Sequence, residues 1–418
     1  MGFQQSVKIA KKDVCVRLEA EFKRRLKLIL KQKLSSRNVI KAVNTFVIPA
    51  LSYSFGVIKW STTKLQELDR YVRTSFNKAR IHHLRSSNAR LYLPRKKGGR
   101  GLLNIEIQCK AAEKSLKSYF ATLEDPLSML MRLVDSGHTA LNLVSDEVLT
   151  YRSDADLISE WTGKSLHGKY QQSLTSETVD QGLSNLWLKS GILYPETEGF
   201  VLAIQDQVIA TRNHRKFILG EKDLIDKCRL CNNPGESIQH ISSGCPVLAP
   251  KEYLRRHNNV AKIVYLAIAA KHKISDIKEP YYQFTPQAVI ENNGMKLYLD
   301  AQMTTDRSVP HNKPDILFLD MNTKTSLIID VSIPTDDGLH RAVSEKIRKY
   351  QDLAFEIKEM YQLKEIKVLP FVISSNGLIP KRTVDSLARL GLNKSLLEMA
   401  QRSALIDTTR IVRRFLQI

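Results

Sequence analysis

Cysteine is scarce in this 418-residue chain, which contains five in all. That number is too small for a disulfide scaffold, and the N-terminus has no pattern of a secretory signal. No apolar run approaches the ~20 residues that span a bilayer. Secreted disulfide-rich, fibrous and integral-membrane classes are therefore excluded. A composition of 43% apolar and 26% charged residues is typical of globular proteins large enough for more than one core.

Acidic residues are nearly missing from the first quarter of the chain. Residues 1–100 contain 24 Lys and Arg but only 5 Asp and Glu, so most of the net charge of +21 lies there. A concentrated excess of this kind predicts a surface that binds a polyanion such as nucleic acid. The alternative is that these cations only solvate helix faces.

Apolar spacing predicts three helices in the basic region. The first covers 14–34, the second begins at Ser36 as N-cap and continues through Val39, Ile40, Val43 and Phe46 to Pro49, and the third covers 65–79. A block of cations and glycines follows at 90–102. Glycine allows a close approach to a phosphate and the cations release counterions, so nucleic-acid contact is predicted for Arg90, Arg95, Lys96, Lys97 and Arg100.

A cluster of metal-ligand residue types lies near the middle of the chain, in the pattern CxxC-x8-H-x4-C. Three cysteines and a histidine at this spacing can complete a closed tetrahedral site, which zinc fills best. The predicted ligands are Cys228, Cys231, His240 and Cys245. A closed site serves structure or recognition rather than catalysis, and thiolate ligands indicate a reducing compartment. The alternative is a group of buried free thiols with a surface histidine.

Two further cations, Arg255 and Arg256, follow the cysteine cluster. They are candidates for DNA contact, with a plain helix surface as the equal alternative.

A pair of aspartates brackets a predicted β-hairpin. Asp315 precedes an apolar run, a polar break follows, and a second run ends at Asp330. A turn near Thr323 would place Asp315 opposite Asp330 or Val331. Two carboxylates this close suit Mg²⁺. The simpler interpretations are a turn-capping aspartate and a strand-edge charge.

A long helix is predicted from 339 to 361, and Lys346 falls in the middle of its apolar face. A lysine there is costly unless it meets an anion, whereas Lys349 lies nearer the edge. Lys346 could therefore stabilise phosphate charge beside the two aspartates. The alternative is a side chain that snorkels to solvent.

Together these motifs resemble the C-terminal part of site-specific non-LTR retrotransposon proteins that carry a restriction-like endonuclease. The resemblance rests on the stretch 44–56 with Trp60, the 90–102 block, the Cys3His knuckle and the PD-x14-D hairpin with its helical lysine, in the family's order. It implies a protein that nicks chromosomal DNA and primes reverse transcription of its own RNA from the nick. Asp315 and Asp330 would match the metal ligands of a PD-(D/E)xK fold, and Lys346 the displaced catalytic lysine, because Ser332 occupies the usual position.

The sequence departs from the family pattern in its polymerase motif. Reverse transcriptases hold Mg²⁺ with an [FY]xDD turn, which this sequence lacks; its adjacent pair Asp336–Asp337 lies between hairpin and helix. We therefore predict no DNA synthesis by this chain alone. The implied partners are target DNA, element RNA and a polymerase-bearing copy of the same family, in the nucleus and without a membrane.

The predicted fold is multidomain. A basic helical thumb (1–105) and a helical linker (106–200) precede a zinc knuckle with its basic flank (201–260), and an α/β restriction-like endonuclease core (261–418) completes the chain. The leading hypothesis is an endonuclease that uses Mg²⁺ or Mn²⁺ for catalysis and zinc for structure. The alternative is a non-catalytic DNA- and RNA-binding remnant.

Overall fold

A computed structural model describes residues 11–145 and 152–417. The chain forms two compact units, Met1–Ser165 with Leu188–Ala203 and Leu166–Trp187 with Ile204–Ile418. The predicted linker thus contributes to both units. The boundaries of the linker with the thumb (1–105) and with the zinc knuckle (201–260) remain sequence-based predictions.

The regular secondary structure of the first unit is helical within its described residues. Its helices are α1 (Lys11–Leu30), α2 (Ser36–Ala42), α3 (Pro49–Ser52), α4 (Thr62–Lys78), α5 (Ala89–Tyr92), α6 (Ile105–Thr122), α7 (Pro126–Val134) and α8 (Asp154–Thr162). A π-helix at Val43–Val47 links α2 to α3.

The predicted helices of the basic region are present with shifted ends. The α1 helix buries Val14, Leu18, Phe22 and Leu26, which recur at helical spacing and form its core-facing stripe. The α2 helix is capped by Ser35 rather than by Ser36, which is its first helical residue and is buried. Phe46 is exposed, although periodicity predicted it on the apolar face.

The second unit combines helices with one mixed sheet. Its helices are α9 (His167–Leu174), α10 (Gln181–Ser184), α13 (Arg212–Phe217), α14 (Leu254–Lys271), α15 (Leu339–Lys349), α16 (Gln351–Met360), α17 (Lys381–Arg389) and α18 (Lys394–Leu416). The chain crosses between the units within α11 (Leu186–Ser190) and α12 (Pro195–Gln205). Within the described residues, no helix has the length and apolar character to cross a membrane.

The sheet has five strands in sequential order, β1 (Val289–Asn292), β2 (Met295–Leu299), β3 (Ile316–Asp320), β4 (Thr325–Ser332) and β5 (Glu365–Val372). Successive strands are antiparallel up to β4, while β5 is parallel to β4. The helices α15 and α16 form the crossover that a parallel pair requires. The α/β part of the fold prediction is thus confirmed at this level of detail.

Both faces of the sheet are covered. Successive residues of a strand point to opposite faces, so alternate side chains belong to different cores. Ile316, Phe318, Ile329 and Val331 join a core with α14 and α18. The alternate residues Leu317, Leu319 and Ile328 join a second core with α16. Asp330, two residues after Ile328, belongs to the α15–α16 face by the same parity.

The predicted long helix is wrong in one respect, because it is two helices. Tyr350 departs from helical geometry with φ −109° and ψ 16° and separates α15 from α16. Its side chain is buried, and its hydroxyl donates to the Lys313 carbonyl at 3.2 Å. This anchorage to the segment before β3 accounts for the break.

Candidate functional site

The four predicted zinc ligands converge in the second unit. Their ligand atoms all lie within 4.8 Å of one another. Cys228 Sγ is 4.0 Å from Cys245 Sγ, and Cys231 Sγ is 3.3 Å from His240 Nε2. With bonds of ~2.3 Å to sulfur and ~2.0 Å to nitrogen, a tetrahedral zinc site has ligand separations of about 3.5–3.8 Å. The Cys3His cluster therefore fits a zinc ion.

Local backbone geometry positions the first two cysteines. The Cys228 N–H donates to the Asn233 carbonyl at 2.8 Å, and the Asn232 N–H donates to the Cys228 carbonyl at 2.9 Å. Asn232 takes the left-handed conformation that closes this tight turn. Burial lowers the pKa of His240, which keeps its imidazole in the neutral form that binds metal.

Two residues that sequence analysis missed support the knuckle. Glu236 is buried and accepts the Arg229 backbone N–H at 3.0 Å within the CxxC turn. The Tyr253 hydroxyl accepts the Cys245 N–H at 3.1 Å and contacts the carbonyls of His240 and Ile241. Such surroundings orient metal ligands and determine their basicity. Neither residue has a sequence signal beyond its nearness to the cysteines.

The hairpin brings the two predicted aspartates together. Ile316 pairs with Ile329, so the ladder continued by one residue sets Asp315 opposite Asp330. The Val331 N–H donates to Asp315 Oδ2 at 2.7 Å, which fixes that carboxylate at the end of the ladder. The predicted register is therefore confirmed.

The helical lysines lie against the second carboxylate. Lys346 Nζ is 2.6 Å from Asp330 Oδ2, and Lys349 Nζ is 3.8 Å from Asp330 Oδ1. The buried Asp330 carboxylate is therefore partnered by Lys346 and also interacts with the side chain of Tyr350.

Burial, followed by the charge of Asp315, raises the pKa of Asp330. For Asp315 burial acts in the same direction, but the hydrogen bond and charge of His257 outweigh it and hold the pKa below its usual value. Two close carboxylates with opposite pKa shifts are typical of functional sites.

Sequence analysis did not assign His257 to this site. Its Nε2 lies 3.0 Å from Asp315 Oδ2 and 3.2 Å from the Val331 carbonyl oxygen. Burial would lower the pKa of His257, yet the Asp315 hydrogen bond raises it to about 9. The residue is on α14, 58 positions before Asp315, and no local pattern signals a contact over that separation.

A surface pocket of about 300 Å³ opens beside the carboxylates. His257, Ser332 and Lys346 line it from the hairpin side, while Ser243 and Tyr253 line it from the knuckle side. The pocket therefore lies between neighbours of the knuckle and neighbours of the carboxylates, while Asp315 and Asp330 themselves do not line it.

The cations predicted to contact nucleic acid divide into buried and exposed groups. Arg90, Arg100 and Arg256 are each 1% exposed, so burial argues against their predicted phosphate contacts. Arg100 Nε donates to Glu198 Oε1 at 2.9 Å and its Nη1 to the Ile81 carbonyl at 2.5 Å. Arg256 Nη1 donates to Thr408 Oγ1 at 2.8 Å.

The remaining cations are more accessible, although they too have partners within the protein. Arg95 is bonded to Glu198, Lys97 to Asp154 and Arg255 to Asp407, each at 2.8–2.9 Å. Lys96 is exposed. These four stay candidates for nucleic-acid contact.

Gly99 of the 90–102 block serves packing within the protein. The Arg100 N–H donates to the Arg90 carbonyl at 2.7 Å and the Gly101 N–H to the Leu93 carbonyl at 2.9 Å, so the block folds back on itself. A Cβ at Gly99 would lie 2.1 Å from the Leu93 carbonyl oxygen. Close backbone approach within the protein explains this glycine without a phosphate.

No protein-family model matches the chain. Over 204 residues it is 26% identical to the Retrovirus-related Pol polyprotein from type-1 retrotransposable element R2 of Popillia japonica. The match covers 47% of this chain and 40% of that polyprotein, so it spans less than half of either protein. This similarity supports a relationship of the chain to non-LTR retrotransposon Pol proteins.

Proposed function

We propose that this chain is a metal-dependent DNA endonuclease of a non-LTR retrotransposon, which nicks target DNA to prime reverse transcription. The observation that carries the proposal is the convergence of Asp315, Asp330 and Lys346 beside an accessible pocket. The mixed sheet has helices on both faces. Two carboxylates of its β3–β4 hairpin with a lysine on α15 are compatible with a PD-(D/E)xK nuclease core. The relationship to a retrotransposon polyprotein supports the same function.

The two carboxylates suit Mg²⁺ or Mn²⁺, because hard cations prefer oxygen ligands. Asp315 and Asp330 would hold the ion, which would polarise the phosphate and lower the pKa of a bound water. His257 orients Asp315 through Oδ2. Lys346 places a positive charge where negative charge develops on the phosphate during attack by water.

The Cys3His cluster has a structural role in this proposal. A closed tetrahedral site leaves no position for substrate. Zinc would fold the segment from 228 to 245 and present the knuckle side of the pocket.

The first unit would supply nucleic-acid binding, since residues 1–100 carry most of the net charge. Target DNA, element RNA and a polymerase-bearing relative are the proposed partners, and the nucleus is the proposed location. DNA synthesis is not part of the proposal. Asp336 of the one Asp–Asp pair accepts a hydrogen bond from Asn376 at 2.8 Å in a 3-10 turn, away from any hairpin tip.

Nicking of supercoiled plasmid with Mg²⁺ or Mn²⁺ tests the proposal. Asp330→Asn keeps the side-chain shape and should abolish nicking, while duplex affinity stays near that of the parent. Asp352→Asn, at an exposed position on α16, is the matched control and should nick normally. Equal nicking by parent and Asp330→Asn would refute the site, and DNA binding without nicking by the parent would favour the non-catalytic alternative.

A further inference from the structure

Phe46 is 59% exposed, whereas Val39, Ile40 and Val43 of the same apolar series are buried. The π-helix at Val43–Val47 explains the difference, because a wider turn rotates the following residues relative to α2. A residue that periodicity assigns to the core is thereby turned to solvent. Departures of this kind from sequence pattern are concentrated at functional sites.

Side chains from elsewhere in the unit hold this unusual turn. Asn44 Nδ2 donates to the Gly101 carbonyl at 2.8 Å, and Asn44 Oδ1 accepts the Leu103 N–H at 3.1 Å. Arg25 Nη1 donates to the Phe46 carbonyl at 3.0 Å. The exposed ring therefore stands on a fixed backbone with a guanidinium beside it.

The sequence on either side of Phe46 is basic. Residues 22–66 contain ten Lys and Arg and no Asp or Glu. Four of these cations form ion pairs with glutamates just outside the stretch, Lys23 and Lys64 with Glu19, and Arg24 and Arg25 with Glu21. Lys41 and Lys59 in this stretch are exposed, and Tyr53 presents a second exposed aromatic ring. An exposed aromatic ring among cations suits bases that stack and phosphates that pair with ammonium groups.

We propose that Phe46 is a stacking platform for unpaired bases of single-stranded nucleic acid, whose phosphates follow the surrounding cations. The proposal rests on the nucleic-acid-binding part of the proposed function and is independent of the nuclease chemistry. Base-paired duplex does not expose the faces of its bases, so the platform discriminates single strands from duplex. This selectivity distinguishes the site from a general basic surface.

Binding of one oligonucleotide sequence as single-stranded RNA, single-stranded DNA and duplex, over a range of salt, tests the platform. Asp330→Asn serves as the background, so cleavage does not interfere. Adding Phe46→Ala should weaken single-strand binding by about 5- to 100-fold without changing its salt slope. Lys41→Ala should instead reduce that slope by about 0.7. Comparison of the RNA and DNA arms shows which strand the platform prefers.

Phe46→Trp gives a direct readout, because the three native tryptophans are buried. Its fluorescence should be quenched by single strands, with affinity near that of the background. Phe355→Ala removes an equally exposed phenylalanine (56%) from α16 and is the matched control. If Phe46→Ala bound single strands as tightly as the background, or lost duplex affinity equally, the stacking platform would be wrong and the cations alone would account for binding. If the Asp330→Asn background bound no nucleic acid, both the platform and the nucleic-acid-binding part of the proposed function would be wrong.

Discussion

His257 and Asp315 are joined by a 3.0 Å contact between Nε2 and Oδ2, across 58 positions of sequence. The Val331 N–H is bonded to the same carboxylate oxygen. Asp315 is therefore fixed through Oδ2, and in the proposed nuclease site Oδ1 would be the oxygen that binds the cation. A helix of the knuckle flank thus helps to position a carboxylate of the hairpin.

His257→Gln should raise the Mg²⁺ concentration needed for half-maximal nicking by about 10- to 100-fold, as is typical when the orienting partner of a metal ligand is lost. Duplex affinity should stay unchanged. Titration of nicking against Mg²⁺ measures this effect, with His311→Gln at an exposed position as control. An unaltered Mg²⁺ requirement would remove His257 from the site.

Stability should depend on pH through the same residue. The pKa of His257 is raised from 6.5 to about 9 in the folded chain, so its contribution is fully present below pH 6.5 and is lost as pH rises through 9. The free energy of unfolding should fall across this interval by about 3 kcal/mol more in the parent than in His257→Gln. Urea unfolding on both sides of the interval provides the comparison; parallel curves would contradict the pKa shift.

The two helical lysines should differ in catalytic effect. Lys346 Nζ is 2.6 Å from Asp330, whereas Lys349 Nζ is 3.8 Å away and donates to the Tyr350 hydroxyl. Lys346→Ala should therefore reduce the nicking rate by about 100-fold or more, and Lys349→Ala by much less. Single-turnover rates at saturating DNA decide between them. The reverse order would assign the catalytic role to Lys349.

Loss of a knuckle ligand should release zinc. Cys231→Ser should lower the zinc content well below one ion per chain, destabilise the second unit and weaken DNA binding. Elemental analysis of purified protein gives the stoichiometry. Cys15→Ser, outside the cluster, should keep the parent's metal content, and full zinc occupancy in Cys231→Ser would contradict the ligand assignment.

Arg100 should prove structural. Arg100→Met leaves Glu198 buried with fewer compensating charges and should lower the free energy of unfolding by about 3–5 kcal/mol. The double variant Arg100→Met, Glu198→Leu should regain part of this loss. Lys96→Ala should leave stability unchanged. Denaturant unfolding tests all three, and a stable Arg100→Met would restore Arg100 as a candidate for nucleic-acid contact.

Local patterns predicted that the four Cys3His residues lie together and that the two hairpin aspartates lie opposite each other. Turn residues fix the hairpin register, so PD-x14-D alone brings Asp315 to Asp330. The spacing of the cysteines likewise defines the knuckle. In both cases the interacting residues are close in sequence, and the period or the turn determines where they meet.

The same local patterns could not predict contacts between residues that are far apart in the sequence. The sequence predicts Arg100 as a phosphate ligand, whereas in the structure it is bonded to Glu198, 98 residues later. The exposure of Phe46 depends on a π-helix, and the break at Tyr350 on a bond to Lys313. Each of these depends on tertiary contacts that override local propensity.

Hydrogen bonds of Ser243 connect the knuckle to the carboxylate site. Ser243 lies in the π-helix that begins at zinc ligand His240; its Oγ contacts the Ile333 carbonyl just beyond β4 and accepts from Arg256, the neighbour of His257. If both proposed sites bind their metals, these contacts would couple them, and by thermodynamic reciprocity zinc in the knuckle and a cation between the aspartates should strengthen each other's binding. The metal content of the knuckle would then regulate the affinity of the proposed nuclease site for its cation.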